Sequence, residues 1–370
     1  MAPTLPLAGL KVVAVEQAVA APFCTARLAD AGAEVVKIER PTGDFARGYD
    51  DTARGQSSYF VWLNRGKGSK VLDLTTPAAR DELRDLIASA DVLVQNLKPG
   101  AMARMGLDPD TLRTAFPWLI TCSISGYGES GPMADRKAYD LLIQAESGLS
   151  SITGGPDEPS RVGVSVVDVA TGATAHAAIL EALIQRGITG KGVGIHVSMF
   201  DVMADWMAVP LLQAEGGKPP ARVGLAHPSI APYGAFTTKD GAVFLISVQS
   251  EREWAKLCGH VLGDPTLPND TRFASNVARV DNRAATDTLV AAAFARRTRA
   301  EIQADLERAD VAFAQVNDMA GLSAHPHLRR ITVDTPNGPV DLPAPAAVFS
   351  DGTRGHGPVP AIGQDRKTDT

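Results

Sequence analysis

The chain has 370 residues, 45% hydrophobic, 21% charged and 5% aromatic, with a formal net charge of -6 and a sequence pI near 5.7. This is the composition of an ordinary globular protein long enough for two domains, and its acidic balance excludes a bulk nucleic-acid partner, which needs a basic face. The scattered Cys24, Cys122 and Cys258 make neither a disulfide framework nor a CxxC metal pair, the opening MAPTLPLAGLKVV does not read as a secretion signal, and apolar stretches such as Trp206–Leu212 are too short to cross a bilayer, so a cytoplasmic protein without membrane contact is expected.

In chain order, the first elements alternate in type. Leu10–Val15 is a short β-branched run. Ala21–Ala31 places Phe23, Ala26, Leu28 and Ala31 near helical spacing, with Pro22 at its start and Gly32 past its end. Glu34–Glu39 is strand-like again and stops at Arg40-Pro41. Strand, helix and strand at this spacing form a βαβ unit, hence a parallel sheet with crossover helices. The alternation continues with a strand over Lys70–Leu74, a helix over Pro77–Ala90, a strand over Asp91–Gln95, a helix over Asp108–Ala115 and a strand over Leu119–Ser125. Asp168–Arg186, rich in Ala and Leu, predicts a long helix with Asp168 as its N-cap. Gly187–Gly194 breaks it and Ile195–Phe200 resumes as a strand. The whole predicts a doubly wound α/β sheet. Composition shifts at Gly216–Pro220, a linker signal. Beyond it, Gly234–Thr238 and Val243–Val248 flank a hairpin turn at Lys239-Asp240-Gly241. Helical patterns run to about Ala309, and the Pro- and Gly-rich tail from Gly338 is predicted to be irregular.

A doubly wound sheet takes ligands beyond its strand C-termini, with phosphates at helix N-termini. The first such turn, Glu16-Gln17-Ala18-Val19-Ala20-Ala21-Pro22, is made of small residues but lacks GxGxxG, which argues against a nicotinamide or flavin enzyme. Glu39 stands where such enzymes keep a ribose-binding acid; alone, it reads as a solvated strand-end charge. Asp168 follows Val164–Val167 at a strand-to-helix junction. Free N–H groups and the helix dipole there favour its ionised form, the form that attacks an acyl carbon, although a simple N-cap is the plainer reading. Asp140, in Arg136-Lys137-Ala138-Tyr139-Asp140, is a second carboxylate whose plainest role is also capping. Lys137, Arg104, Lys98 and Arg40 are cations able to meet phosphates. His325 and His327 have no carboxylate or cysteine cluster beside them, so no metal site is predicted.

Nine segments then recur together: LADAGAEVVKIERPTGD (28–44), LNRGKGSKVLDL (63–74), NLKPGAMARMGL (96–107), SISGYGESGP (123–132), AYDLLIQAESGL (138–149), VVDVATG (166–172), GKGVGIHVSMFD (190–201), HPSIAPYGAF (227–236) and AIGQD (361–365). In that order they resemble the family III CoA-transferases, the group of formyl-CoA transferase, carnitine CoA-transferase and the 2-methylacyl-CoA racemases, almost end to end. The resemblance implies a Rossmann-like large domain over 1–200 completed by the tail 338–370, a linker over 201–221, a smaller α+β domain over 222–337, and two chains interlocked as a homodimer. It implies an acyl-CoA thioester and a small carboxylic acid as substrates, with no tightly bound cofactor. Asp168 matches the family's nucleophilic aspartate and Asp140 an acid near the reacting centre.

Arg40, Leu72, Asn96, Leu97, Arg104, Met105, Lys137 and Tyr139 fall at coenzyme-contacting positions. Val19 stands where formyl-CoA transferase has a glutamine, which leaves backbone N–H groups around Val19 and Ala20. Tyr139 replaces the racemases' catalytic histidine, and a phenol of ordinary pKa about 10 is a poor base for α-proton exchange. A transferase is therefore expected, with a racemase or epimerase as the alternative and an oxidoreductase or a mere coenzyme-binding module behind both. His227–Gly234 replaces the glycine-rich loop of formyl-CoA transferase, so an acceptor other than oxalate is expected. Arg222, His227 and Ser229 are candidates to hold the distal carboxylate of a dicarboxylate such as succinate, mesaconate or itaconate, with transfer between two carboxyls of one diacid as a variant.

Overall fold

The structure, a computed structural model, describes residues 5–352 and 354–365. Its elements begin β1 (Lys11–Val15), α1 (Ala20–Asp30), β2 (Glu34–Glu39), α2 (Ser58–Asn64), β3 (Lys67–Val71), α3 (Pro77–Ala88), β4 (Val92–Gln95), α4 (Ala101–Arg104), α5 (Pro109–Ala115) and β5 (Ile120–Ser125). They continue with α6 (Asp140–Glu146), α7 (Leu149–Ile152), α8 (Val166–Thr189), β6 (Gly194–Ser198) and α9 (Met199–Trp206). The six strands form one parallel sheet in the order β3-β2-β1-β4-β5-β6, so the expected α/β doubly wound layout is present.

The sheet is covered on both faces, which explains strands that read as continuous apolar runs. Val12 and Ala14 of β1 enter a core with Leu28 of α1 and Ile179 of α8, while Val13 and Val15 enter another with Leu83, Ile87 and Leu112 of α3 and α5. Helix α8 is long and apolar enough, by length and composition, to cross a membrane; here it lies on the sheet and buries Val167, Ala170, Ala175, Ile179 and Ala182.

Three expectations shift. Strand β3 starts at Lys67 and ends at Val71, not at Leu74, because the inward Lys67 and Ser69 find buried acids to meet. Helix α8 starts at Val166 with Ser165 as its N-cap, so Asp168 lies inside the first turn rather than capping it. No strand precedes it, since Val164 is irregular and Val166–Val167 are already helical.

The chain divides into two compact units. The larger takes the chain up to Leu149, Val162–Val209 and the chain from Arg329 onward; the smaller takes Ser150–Arg161 and Pro210–Leu328. The segment 201–221, expected as a linker, carries α9 and a further helix, Ala208–Glu215, because Val202 and Met203 enter the core. In the smaller unit β7 (Tyr233–Thr237), β8 (Val243–Ser247) and β9 (Ala312–Gln315) form an antiparallel sheet over Trp254, Phe294, Ile302 and Leu306. The tail is more regular than expected: β10 (Arg330–Val333) pairs with β11 (Val340–Pro343). Beyond it the chain lies along the free edge of β3, where the N–H groups of Gly66 and Ser69 donate to the carbonyls of Pro358 and Gln364, each at 2.8 Å.

Candidate active site

In this strand order the crevice of a doubly wound sheet opens where β1 and β4 diverge. The turn after β1 is strapped to β4 there: the Gln17 N–H donates to Asn96 Oδ1 at 2.9 Å and Asn96 Nδ2 donates to the Gln17 carbonyl at 2.8 Å. Asn96 thus spends its amide on the turn. The next residue, Ala18, has φ +62°, a left-handed conformation that a β-carbon disfavours. After it, α1 starts at Ala20 without a side-chain cap. The N–H groups of Val19, Ala20 and Ala21 meet no acceptor among the described residues, although Val19 and Ala20 are buried. Unpaired buried donors are rare and are suited to an incoming negative oxygen.

The first turns of α8 pack against the same place. A Cβ at Gly172 would collide with the Ala20 carbonyl oxygen, and Val169 joins a cluster with Val19, Phe23 and Leu63. One turn before Gly172 stands Asp168. Its carboxylate takes no hydrogen bond and no ion pair among the described residues, and burial, with Asp140 nearby, pushes its pKa up to about 7. This reverses the expectation that the helix start would favour the ionised form: desolvation and a neighbouring carboxylate outweigh the dipole.

Asp140 is where the first-turn donors of α8 go. Its Oδ1 accepts from the N–H groups of Val167 (2.8 Å) and Asp168 (3.3 Å), and its Oδ2 accepts from Gln144 Nε2 at 2.6 Å. Gln144 Oε1 in turn accepts the Val162 N–H at 2.9 Å. Asp140 therefore caps a neighbouring helix rather than its own, and Gln144, which the sequence did not single out, holds it there.

A cleft of about 490 Å³ opens at the C-terminal ends of β1 to β4, lined by Gln17, Glu39, Arg40, Asp44, Leu72, Arg80, Leu97 and Met105 among others. Arg40, Leu72, Leu97 and Met105 are thus together. Arg104 and Lys137 are exposed and stand outside its lining. Glu39 corrects the reading of a solvated charge: it is buried, and against that burial Arg47, Ser69 and the Asp44 N–H bring it to about 2. Beside Asp168 lie aromatic rings absent from the sequence reading. Tyr49 packs edge-on to Tyr59 with centroids 5.5 Å apart, and burial together with Asp44, Asp168, Tyr139 and Tyr59 raises it to about 12. Tyr139, 61% exposed, belongs to this neighbourhood. Tyr49 stands five residues beyond the motif ERPTGD, in a segment with no mark of its own, and nothing local ties it to residue 168.

Arg222, His227 and Ser229 lie in the smaller unit. The three donor nitrogens of Arg222 each donate to a backbone carbonyl at 3.0 Å, those of Gly155, Ser151 and Pro156. His227 stacks on Tyr233 and accepts the Ser229 N–H on Nδ1 at 3.1 Å. Among the described residues no group of three or more His, Cys, Asp or Glu side chains is placed to hold a metal ion.

Known proteins share this frame. A succinate–glutarate CoA-transferase of Agrobacterium fabrum is 34% identical over 90% of this chain and 87% of its own length, and a succinyl-CoA:glutarate CoA-transferase of Mus musculus is 34% identical over 93% and 81%. The crystal structure of a CAIB/BAIF family protein from Brucella suis superposes with a TM-score of 0.84 at 37% identity, covering 98% of this chain and 97% of that one. The family model described as CoA-transferase family III matches residues 7–366. A doubly wound sheet without the dinucleotide glycines, a carboxylate left unpaired at a helix start, and a match along nearly the whole chain agree, and the chain belongs to CoA-transferase family III.

Proposed function

We propose that the protein moves coenzyme A from an acyl-CoA thioester to a small dicarboxylic acid through acyl-aspartyl intermediates on Asp168. The observation that carries this reading is the Asp168 carboxylate itself, which takes no hydrogen bond among the described residues and is set in the first turn of α8 beside the N–H groups that begin α1 and meet no acceptor there. Ionised Asp168 attacks the thioester carbonyl, the C–S bond breaks, and coenzyme A leaves as thiolate from a mixed anhydride. The thiolate attacks the aspartyl carbonyl of that anhydride, releasing the donor acid as carboxylate and leaving an aspartyl-CoA thioester. The acceptor carboxylate attacks this thioester to give a second anhydride, and the thiolate returns to the acceptor acyl group, restoring Asp168. The net reaction exchanges one thioester for another, so no external energy source is needed, and the covalent intermediates divide the exchange into easier steps. The N–H groups of Val19 and Ala20 supply donors for the oxyanion formed at each addition.

Burial has a double effect here. The environment that penalises the Asp168 carboxylate favours its neutral anhydride and thioester forms. A dicarboxylate acceptor is supported by relatives named for succinate and glutarate, and the missing imidazole at Tyr139 supports transfer over racemisation. A homodimeric assembly is supported by apolar side chains left exposed on the larger unit, among them Leu141, Leu142, Ile184 and Ile188. The test is to incubate the protein with succinyl-CoA and hydroxylamine and to map the adduct by peptide mass spectrometry. A hydroxamate on Asp168 is expected; turnover with Asp168 unmodified overturns the proposal.

A further inference from the structure

Beneath the first turn lies a set of charges that the transfer chemistry does not use. Lys37 Nζ is 2.8 Å from Asp44 and 3.5 Å from Glu16, and Lys67 Nζ is 2.7 Å from Glu16. All four side chains are at most 1% exposed. Glu16 also accepts the Thr25 hydroxyl at 2.6 Å, and Lys67 reaches Asn64 Oδ1 at 3.1 Å. Burying four charges is costly and is a poor way to gain stability. Such a cluster is retained where it fixes one geometry. The geometry fixed here is that of the turn: Asp44 Oδ1 accepts the Ala18 N–H at 3.3 Å and the Ala46 N–H at 2.9 Å, and the Asp44 N–H is itself held by Glu39 at 2.8 Å. Asp44 therefore ties the turn that leads into Val19 and Ala20 to the segment that leads into Tyr49.

Ala18 is the point at which this tie acts. A glycine takes a φ of +62° freely, whereas an alanine takes it only when its surroundings impose it. The hydrogen bond from the Ala18 N–H to a carboxylate clamped by Lys37 is that imposition, and the direction of the next two N–H groups follows from the torsions of Ala18. We infer that Asp44, fixed by Lys37, is a positioning residue for acyl transfer, holding Ala18 left-handed so that the Val19 and Ala20 N–H groups face the reacting carbonyl beside Asp168. This rests on the acyl-aspartyl reading given above.

The test is kinetic, on the full chain. Asp44→Asn keeps the size and one acceptor oxygen but removes the charge that pairs with Lys37. It is expected to lower kcat about 10- to 100-fold with KM for the acyl-CoA within about 3-fold, the size of a misaimed oxyanion donor. Adding Ala18→Gly to Asp44→Asn is expected to restore most of the lost kcat, because glycine needs no imposed torsion; a merely structural role for Asp44 predicts no such rescue. Ala18→Val leaves the four charges untouched and puts a β-branched residue where a left-handed torsion is required, so it is expected to lose kcat in the same way. A folded Asp44→Asn protein with wild-type kcat, or a loss that Ala18→Gly does not restore, overturns the inference. Should Asp44→Asn fail to fold, Ala18→Val decides alone, and an unchanged kcat there overturns it. Hydroxylamine trapping on the wild-type protein reports separately on the nucleophile, so a failure of that reading is distinguishable from a failure of this one.

Discussion

Asp168 in the larger unit and Arg222 in the smaller one are both charged candidate site residues, the first matched by the family resemblance and the second expected to hold an acceptor carboxylate, and the fold treats them in opposite ways. Arg222 spends its three donor nitrogens on carbonyls of its own unit. Asp168 has nothing to bind among the described residues, while the donors around it are given to Asp140 or left open there. A polar group satisfied from within is a fastener. One held in place by its backbone and denied a partner is a reagent, since its unmet interactions are available to a substrate.

This contrast can be broken at several points. The largest effect is expected at the reagent: Asp168→Asn should lower kcat by at least about 10³-fold while leaving acyl-CoA affinity within a few-fold, as read by single-turnover assay and calorimetry. A small loss of kcat would move the nucleophile elsewhere. Next comes the brace behind it. Gln144→Leu removes the donor to Asp140 Oδ2 and the acceptor of the Val162 N–H, and should cost about 2–4 kcal/mol in urea unfolding; an unaltered midpoint would mean that the network holds nothing. At the fastener the expectation is smaller. Arg222→Ala should lower stability by about 1 kcal/mol, its bonds being partly solvated, with KM for the acceptor acid unchanged. A tenfold higher acceptor KM at unchanged stability would turn Arg222 into a substrate residue and remove the contrast. The finest test is pH. Because the Asp168 pKa is raised to about 7 and only the carboxylate attacks, kcat/KM should climb as pH rises through about 7. Asp140→Asn, by removing a neighbouring negative charge, should move that climb to lower pH; a shift to higher pH would show that Asp140 favours the ionised form.

Legibility in the sequence followed the range of the interactions. Strands β1, β2, β4 and β5 were readable because each carries a local run of Val, Leu or Ile, strong enough in β2 and β5 to show through buried polar residues such as Lys37 and Thr121. Strand β3 was misplaced because its inward face carries Lys67 and Ser69, polar residues acceptable there only because Glu16, just past β1, and Glu39, at the end of β2, come to meet them. Glu39 read as a surface charge for the same reason: Arg47 and Ser69, its partners, are joined to it by folding rather than by spacing. Asp168 was found through the resemblance, not through its neighbours. Its protonation tendency was misjudged because the helix start is a local feature and the desolvation and Asp140 are not. Gln144 and Tyr49 were missed outright, since a glutamine inside a helix and a tyrosine in a loop carry no periodic or compositional mark.

The tail that lies along β3 has a consequence in time. Residues 66–69 and 358–364 are hydrogen-bonded neighbours in space but are separated by almost the whole chain, and a ribosome adding roughly 5–20 residues per second would deliver the second segment about 15–60 s after the first. Within that interval the whole of the smaller unit, which ends at Leu328, is synthesised, while the outer edge of β3 still offers unpaired donors and acceptors. Open edges of this kind recruit strands from other chains. Protein synthesis interrupted a few residues short of Pro358 would therefore yield a nearly complete polypeptide with an adhesive margin, and the closing segment serves as the seal that ends that exposure.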